Sequence, residues 1–207
     1  MQCGPVRHRV DARTQAASRP FDHKVVFRLA RDNPDEKPAI QEIYAKLAQD
    51  KARNDLIFDD ILCALEAGRS PVVITERKDH PEVLADRLAK FAKNVVVLQG
   101  GMSVGRSRVA TESLATIPGR DERGLVATGR YIGEGFDDAR FDTLFLTTPI
   151  SWRGVLAEYP GRLHRLHAAK RDVVIYDYVD EQEPMLARRE TGYSTLGYRA
   201  VNRSELV

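Results

Sequence analysis

The stretch Leu125-Val126-Ala127-Thr128-Gly129-Arg130-Tyr131-Ile132-Gly133-Glu134-Gly135-Phe136-Asp137 decides how the chain is read. It opens with an apolar run that ends in a threonine, and the rest is rich in glycine and charge. An unbroken rather than alternating run belongs to a strand buried on both faces, as in a parallel sheet with helices above and below. A loop leaving the carboxyl end of such a strand is where open α/β sheets bind ligands. Gly129, Gly133 and Gly135 let backbone N–H groups crowd an anion. Asp137 offers a carboxylate to a hydroxyl, and Thr128 stands at the binding edge. Taken alone, the glycines fit a surface loop equally well.

Working outward, similar runs recur at Val72–Thr75, Val95–Leu98, Thr143–Leu146 and Val173–Tyr176. Helical patterns fit between most of them, at Pro81–Lys93, Gly105–Thr116 and Trp152–His167, and Glu183–Leu196 reads as a terminal amphipathic helix. The gap Gly129–Asp142 has no convincing helix. The expected architecture is a doubly wound, mainly parallel α/β sheet with helices on both faces. Upstream, Val6–Val10 and Lys24–Leu29 look extended, and Asp32–Pro38 is a loop by its turn residues. Ile40, Ile43, Tyr44 and Leu47 suggest one helix, and Ile57, Ile61, Leu62 and Leu65 another that Gly68 stops.

The 207 residues, 43% hydrophobic and 30% charged, suit one ordinary α/β domain with an appendage. A net charge of +2 names no partner, but arginine outnumbers lysine 24 to 8. The planar guanidinium fork suits phosphate better than a point charge does. No apolar run approaches the ~20 residues needed to span a bilayer, and no signal segment opens the chain. Cys3 and Cys63 give neither a disulfide framework nor a metal spacing. A soluble, cytoplasmic protein that takes no membrane partner and holds no metal of its own is expected.

Two further constellations carry chemistry. Glu158-Tyr159-Pro160-Gly161-Arg162-Leu163-His164-Arg165 holds two arginines three apart. On a helix they would share a face and suit a phosphoryl group. A solvated basic face with His164 and His167 as bystanders fits the pair as well. Val95-Val96-Val97-Leu98-Gln99-Gly100-Gly101-Met102-Ser103, followed by Arg106 and Arg108, reads as strand, glycine pair and helix start with Ser103 as N-cap. Such a helix start can hold a phosphate, or it can be ordinary β–α turn chemistry.

The order and spacing of these segments resemble the second RecA-like domain of superfamily 2 DEAD/DEAH-type helicases, of the type III restriction-subunit kind. Val72–Arg77 and Val95–Met102 look like that domain's early motifs, Ala127–Asp137 like motif V, and Glu158–Arg165 like motif VI with its Gly-Arg-x-x-Arg ending. The resemblance covers roughly residues 55–180. It divides the chain into a linker or extension (1–54), a helicase carboxyl-terminal domain (55–180) and a helical extension (181–207). It implies that Arg162 and Arg165 reach the γ-phosphate of ATP held by a partner domain, the outer one as arginine finger. It assigns Gly135 and Asp137 to the nucleotide side, and Thr75, Gly100, Gly101, Arg106 and Thr128 to the nucleic-acid backbone. Glu158 departs from the usual glutamine.

No Gly-Lys dipeptide occurs in the chain and no Asp-Glu-x-His or similar box follows a strand, and phosphoryl transfer needs both parts. The resemblance therefore implies half a motor. ATP with Mg²⁺ would be held mainly by the N-terminal RecA-like domain of the same full-length protein, and DNA is expected ahead of RNA as partner. Two alternatives compete. One is a glycosyltransferase carboxyl-terminal domain, suggested by Glu134-Gly135-Phe136, which would need a helix directly after that loop. The other is a stand-alone nucleic-acid-binding module.

Overall fold

A computed structural model describes residues 17–30, 49–76, 80–128, 138–148, 159, 163–180 and 185–206. The elements in chain order are β1 (Asp22–Ala30), α1 (Lys51–Glu66), β2 (Pro71–Thr75), α2 (His80–Leu88), β3 (Val95–Leu98), α3 (Val104–Thr116), β4 (Gly124–Thr128), β5 (Thr143–Leu146), β6 (Asp172–Asp180), α4 (Met185–Thr195) and β7 (Arg199–Ala200). The strands form one sheet in the order β3-β4-β2-β5-β6-β1-β7. All its pairings are parallel, as the unbroken apolar runs predict.

Strand residues alternate between two cores. Val72, Ile74, Leu125, Ala127, Leu144, Leu146, Val173 and Ile175 pack on one face with Leu114 of α3 and Tyr193 of α4. Val73, Val126, Phe145, Val174 and Tyr176 pack on the other with Ile57 and Ile61 of α1 and Leu84 and Leu88 of α2. Helices on both faces follow directly, since neither side of the sheet can be left to water.

Local chemistry sets the helix ends. The Asp50 side chain caps α1 by accepting the Arg53 N–H at 3.0 Å. Gly68, at φ +72°, stops it as expected: Gly68 N–H bonds Leu65 O at 2.8 Å and Arg69 N–H bonds Ala64 O at 2.9 Å. This closure puts the residue after the helix in the left-handed region, where glycine has no Cβ penalty.

Two expectations change. Residues 22–30, inside the stretch read as linker, form a strand of the sheet itself and pair with β6 from Asp22↔Asp172 to Ala30↔Asp180. The expected helix Trp152–His167 does not reach its proposed end: 164–167 are turn and irregular chain. The cause is Lys170, whose Nζ donates to Leu163 O at 2.6 Å and Arg165 O at 3.0 Å and folds the chain back toward β6. Val6–Val10 and the helix at Ile40–Leu47 lie outside the described residues.

Candidate functional site

In a parallel sheet the strand carboxyl ends share one edge, and β2, β3, β4 and β5 deliver Thr75, Leu98, Thr128 and Leu146 to it. Thr75 and Thr128 are register partners on adjacent strands. The hydroxyl of Thr128 accepts the Gly100 N–H at 2.9 Å, joining the β3–α3 turn to the exit of β4. Gly101 follows at φ +95°, and Ser103 caps α3 by accepting the Arg106 N–H at 3.3 Å. The turn is thus fixed at both ends.

Exposure divides the five predicted nucleic-acid residues. Gly101 and Arg106 are exposed and Gly100 is half-buried. Thr75 is fully buried and Thr128 nearly so, at 5%. The Thr75 hydroxyl therefore reaches no ligand in this structure, and Thr128 acts on the turn that carries Gly101. Sequence reading missed the neighbouring pair Thr147 and Thr148. The Thr147 hydroxyl donates to Ile74 O at 2.9 Å, and that of Thr148 accepts the Glu76 N–H at 3.1 Å, so both lock β5 to the end of β2. From α1, buried Arg53 donates to Thr147 O and Tyr178 O, each at 3.0 Å. The hydroxyl pair directly after Thr143–Leu146 was the available signal; Arg53 gave none.

Of the predicted nucleotide residues, Arg165 alone is described; Gly135, Asp137 and Arg162, with Glu158, lie outside the described residues. Arg165 is exposed. The structure does not bring it to the threonine edge: its carbonyl is bonded by Lys170, two residues before β6, at the amino-terminal edge. Burial lowers the Lys170 pKa to about 8, against the pull of Asp142 and Asp138. His164, beside it, is no bystander. Its Nδ1 accepts from Arg19 Nη1 at 2.9 Å and its Nε2 lies 2.7 Å from the Tyr198 hydroxyl. Arginine can only donate, so neutral His164 carries its proton on Nε2. Burial, then the charge of Arg19, lowers its pKa to about 3.

Among the described residues no group of three or more His, Cys, Asp or Glu could hold a metal ion, and no helix is long and apolar enough to cross a membrane. Thr143–Leu146 is a strand, whereas the glycosyltransferase alternative requires a helix after the glycine loop.

No family model matches the sequence, and no curated protein does. Solved structures do. T4 UvsW aligns with a TM-score of 0.65 at 15% identity, covering 86% of this chain and 41% of that one. S. cerevisiae Dbp5 bound to RNA and ADP BeF3 aligns at 0.57 and 16%, covering 93% and 42%. The carboxyl-terminal domain of the DEAD-box protein Dbp5 aligns at 0.58 and 14%, covering 89% and 92%. The chain thus spans about two fifths of the longer proteins it matches and nearly the whole of the isolated domain. It has a RecA-like α/β fold, shared with the carboxyl-terminal domain of the DEAD-box protein Dbp5.

Proposed function

We propose that this chain is the carboxyl-terminal motor half of an ATP-dependent nucleic-acid helicase or translocase. The observation that carries the reading is the tethered turn. The Gly100–Thr128 bond holds the β3–α3 connection against β4 and leaves Gly101 and Arg106 outward beside it. An exposed main chain and a guanidinium at a fixed separation suit a phosphodiester backbone rather than base edges. The likeness in fold to a protein solved with RNA and ADP BeF3 supports the same reading.

In this reading the N-terminal RecA-like domain of the full-length protein holds ATP and Mg²⁺. Bound ATP supplies the phosphoryl group whose transfer drives closure and opening of the two halves. Arg162 and Arg165 would donate hydrogen bonds to that group, with Gly135 and Asp137 beside the nucleotide. Arg165 is exposed, and its carbonyl is held by Lys170. Thr128 positions the grip, and Gly101 and Arg106 apply it.

Single-strand binding by the chain alone tests the proposal, with DNA and RNA of several sequences. Binding should be weak, sequence-tolerant and salt-dependent, with a log–log slope of about −0.7 per phosphate contacted, and Arg106→Ala should remove about one contact's worth of slope. The chain alone should not hydrolyse ATP. Equal affinity at about 50 and about 200 mM salt, or nucleic-acid-dependent ATP turnover by the chain alone, would overturn the reading.

A further inference from the structure

A cavity of about 360 Å³ opens at the amino-terminal ends of β1 and β7, across the sheet from Thr75 and Thr128. Arg19, Phe21, Asp22, His23, Gly197 and Arg199 line it. Its walls are built rather than incidental. The His23 ring stands edge-on to those of His164 (4.7 Å between centroids) and Tyr198 (5.3 Å), and Phe21 tilts against it at 5.2 Å. The rings hold one another, so the side chains facing the cavity are fixed before anything binds.

What this cavity lacks is an anion. Elsewhere on this edge Arg69 and Lys24 meet Asp172, and Arg199 meets Glu205 at 3.0 Å. Arg19 is half-buried, yet its hydrogen bond goes to a neutral imidazole, His164 Nδ1. Among the described residues no carboxylate forms an ion pair with it. Asp22 lines the same cavity but is exposed, and Arg199 is held by Glu205, so Arg19 is the lining guanidinium without a carboxylate partner among the described residues. His23 is 7% exposed, and its Nε2 is sealed from solvent without a hydrogen-bond partner. That leaves Nδ1 as the ring nitrogen a ligand could reach. The imbalance registers on the neighbours: burial and then the charge of Arg19 lower the pKa of His23 to about 4. An uncompensated guanidinium in a half-dry site has this effect, and a bound anion would relieve it.

We propose that this cavity binds a phosphoryl group, with Arg19, Arg199 and His23 Nδ1–H as donors. The three come from the segment before β1, from β7 and from β1, so they approach from different directions. That arrangement suits a tetrahedral group with several outward oxygens better than a planar carboxylate, which one fork can satisfy. The volume admits a small phosphomonoester, and the same chemistry is offered by the 5′-phosphate of a strand. Nothing in this inference depends on the motor reading.

The test follows the ring nitrogens of His23 by NMR in the full chain, labelled at histidine. The probes are inorganic phosphate, a nucleoside 5′-monophosphate, and an oligonucleotide with and without its 5′-phosphate. A saturable shift at His23 is expected, and Arg19→Gln, which keeps an N–H for His164 but removes the charge, should weaken it about tenfold or more. Arg199→Gln, an exposed change that leaves the rings alone, should weaken it about threefold and serves if Arg19→Gln does not fold. A tighter response to the free monophosphate supports a metabolite site, and one confined to the 5′-phosphorylated strand supports a strand-end site. A response that does not saturate, or that survives both arginine changes, overturns the proposal.

Discussion

The two edges of the sheet are fastened by different chemistry. At the amino-terminal edge the fastening is ionic. Asp172 takes Lys24 at 2.7 Å and Arg69 at 2.6 Å, and Arg69 also donates to the Thr143 hydroxyl, which donates in turn to Asp142. Burial pushes the Asp172 carboxyl up, but the hydrogen bond from Lys24 and the charge of Arg69 outweigh it and hold its pKa below the usual carboxylate range. Where β2 to β5 end, at the other edge, hydroxyls do much of the fastening, with buried Arg53 donating to Thr147 O. Hydroxyls of Thr128, Thr147 and Thr148 pair with main-chain groups. Hydroxyl and main-chain bonds use up no cation by pairing it with a carboxylate, so the second edge can be rigid and still receptive. The first is a clamp, apart from the cavity at Arg19.

The largest effect that could break this division concerns Arg165, whose main chain belongs to the clamped edge. In a protein containing both motor halves, Arg165→Ala should lower kcat by about three to five powers of ten if the side chain acts on transferring phosphate. Nucleotide binding should change much less. Steady-state ATPase kinetics on a variant with a normal melt decides it; wild-type turnover would confine Arg165 to the clamp.

Next in size, Asp172→Ala should destabilise the fold by about 2 kcal/mol, because it strands largely buried Lys24 and leaves Arg69 only Asp142, at 3.8 Å, as a carboxylate. Denaturant melts would show it, and a loss under about 1 kcal/mol would mean that the edge is not held by charge.

A smaller effect comes from pH. The folded pKa values of His23 and His164, about 4 and about 3, lie below the ordinary 6.5. The unfolded chain therefore takes up protons first. Stability is level above about pH 7 and is lost as pH falls from 6.5 toward 4, by about 1 kcal/mol per histidine at about pH 5.5. Arg19 and Lys170 oppose protonation of His164, while Asp22 favours that of His23. Thermal melts at two pH values measure the loss, and His23→Gln should halve it; identical melts would rule out two neutral packed histidines.

The smallest effect sharpens the receptive edge. An added Cβ at Gly101 meets nothing within 4 Å, so Gly101→Ala carries only the backbone penalty of φ +95°, about 1 kcal/mol. Single-strand affinity should fall more than stability does. If both are untouched, the turn is not the grip.

The strands that were legible in the sequence are those whose apolar runs are unbroken. Val95–Leu98 and Thr143–Leu146 match β3 and β5 to the residue, and β2 and β4 differ by one at the start. The β6 reading is one residue short at its start and four short at its end, where Asp177 interrupts the run. That acid is fully buried and paired with Arg189 at 2.5 Å and with the Tyr193 hydroxyl at 2.9 Å, a partnership that only the folded chain brings together. At the site, sequence put Thr75 and Thr128 at the carboxyl-terminal ends of their strands, where they stand as register partners. It could not show them facing inward, because the Gly100 N–H that claims Thr128 comes from another strand's exit. His164 was opaque for the same reason: Arg19, His23 and Tyr198 reach it from far along the chain.

The place of β1 has a consequence for how the protein is made. Every residue of that strand pairs with one 150 positions later, as Asp22 does with Asp172. At ordinary synthesis rates of about 5–20 residues per second, a ribosome needs on the order of ten seconds to deliver the partner strand. Through that interval β1 is an apolar segment with an unsatisfied backbone, the kind that other chains capture. The ladder must also close a very long loop before it returns any binding energy, which slows its formation. Chaperone demand in this protein should therefore fall on β1.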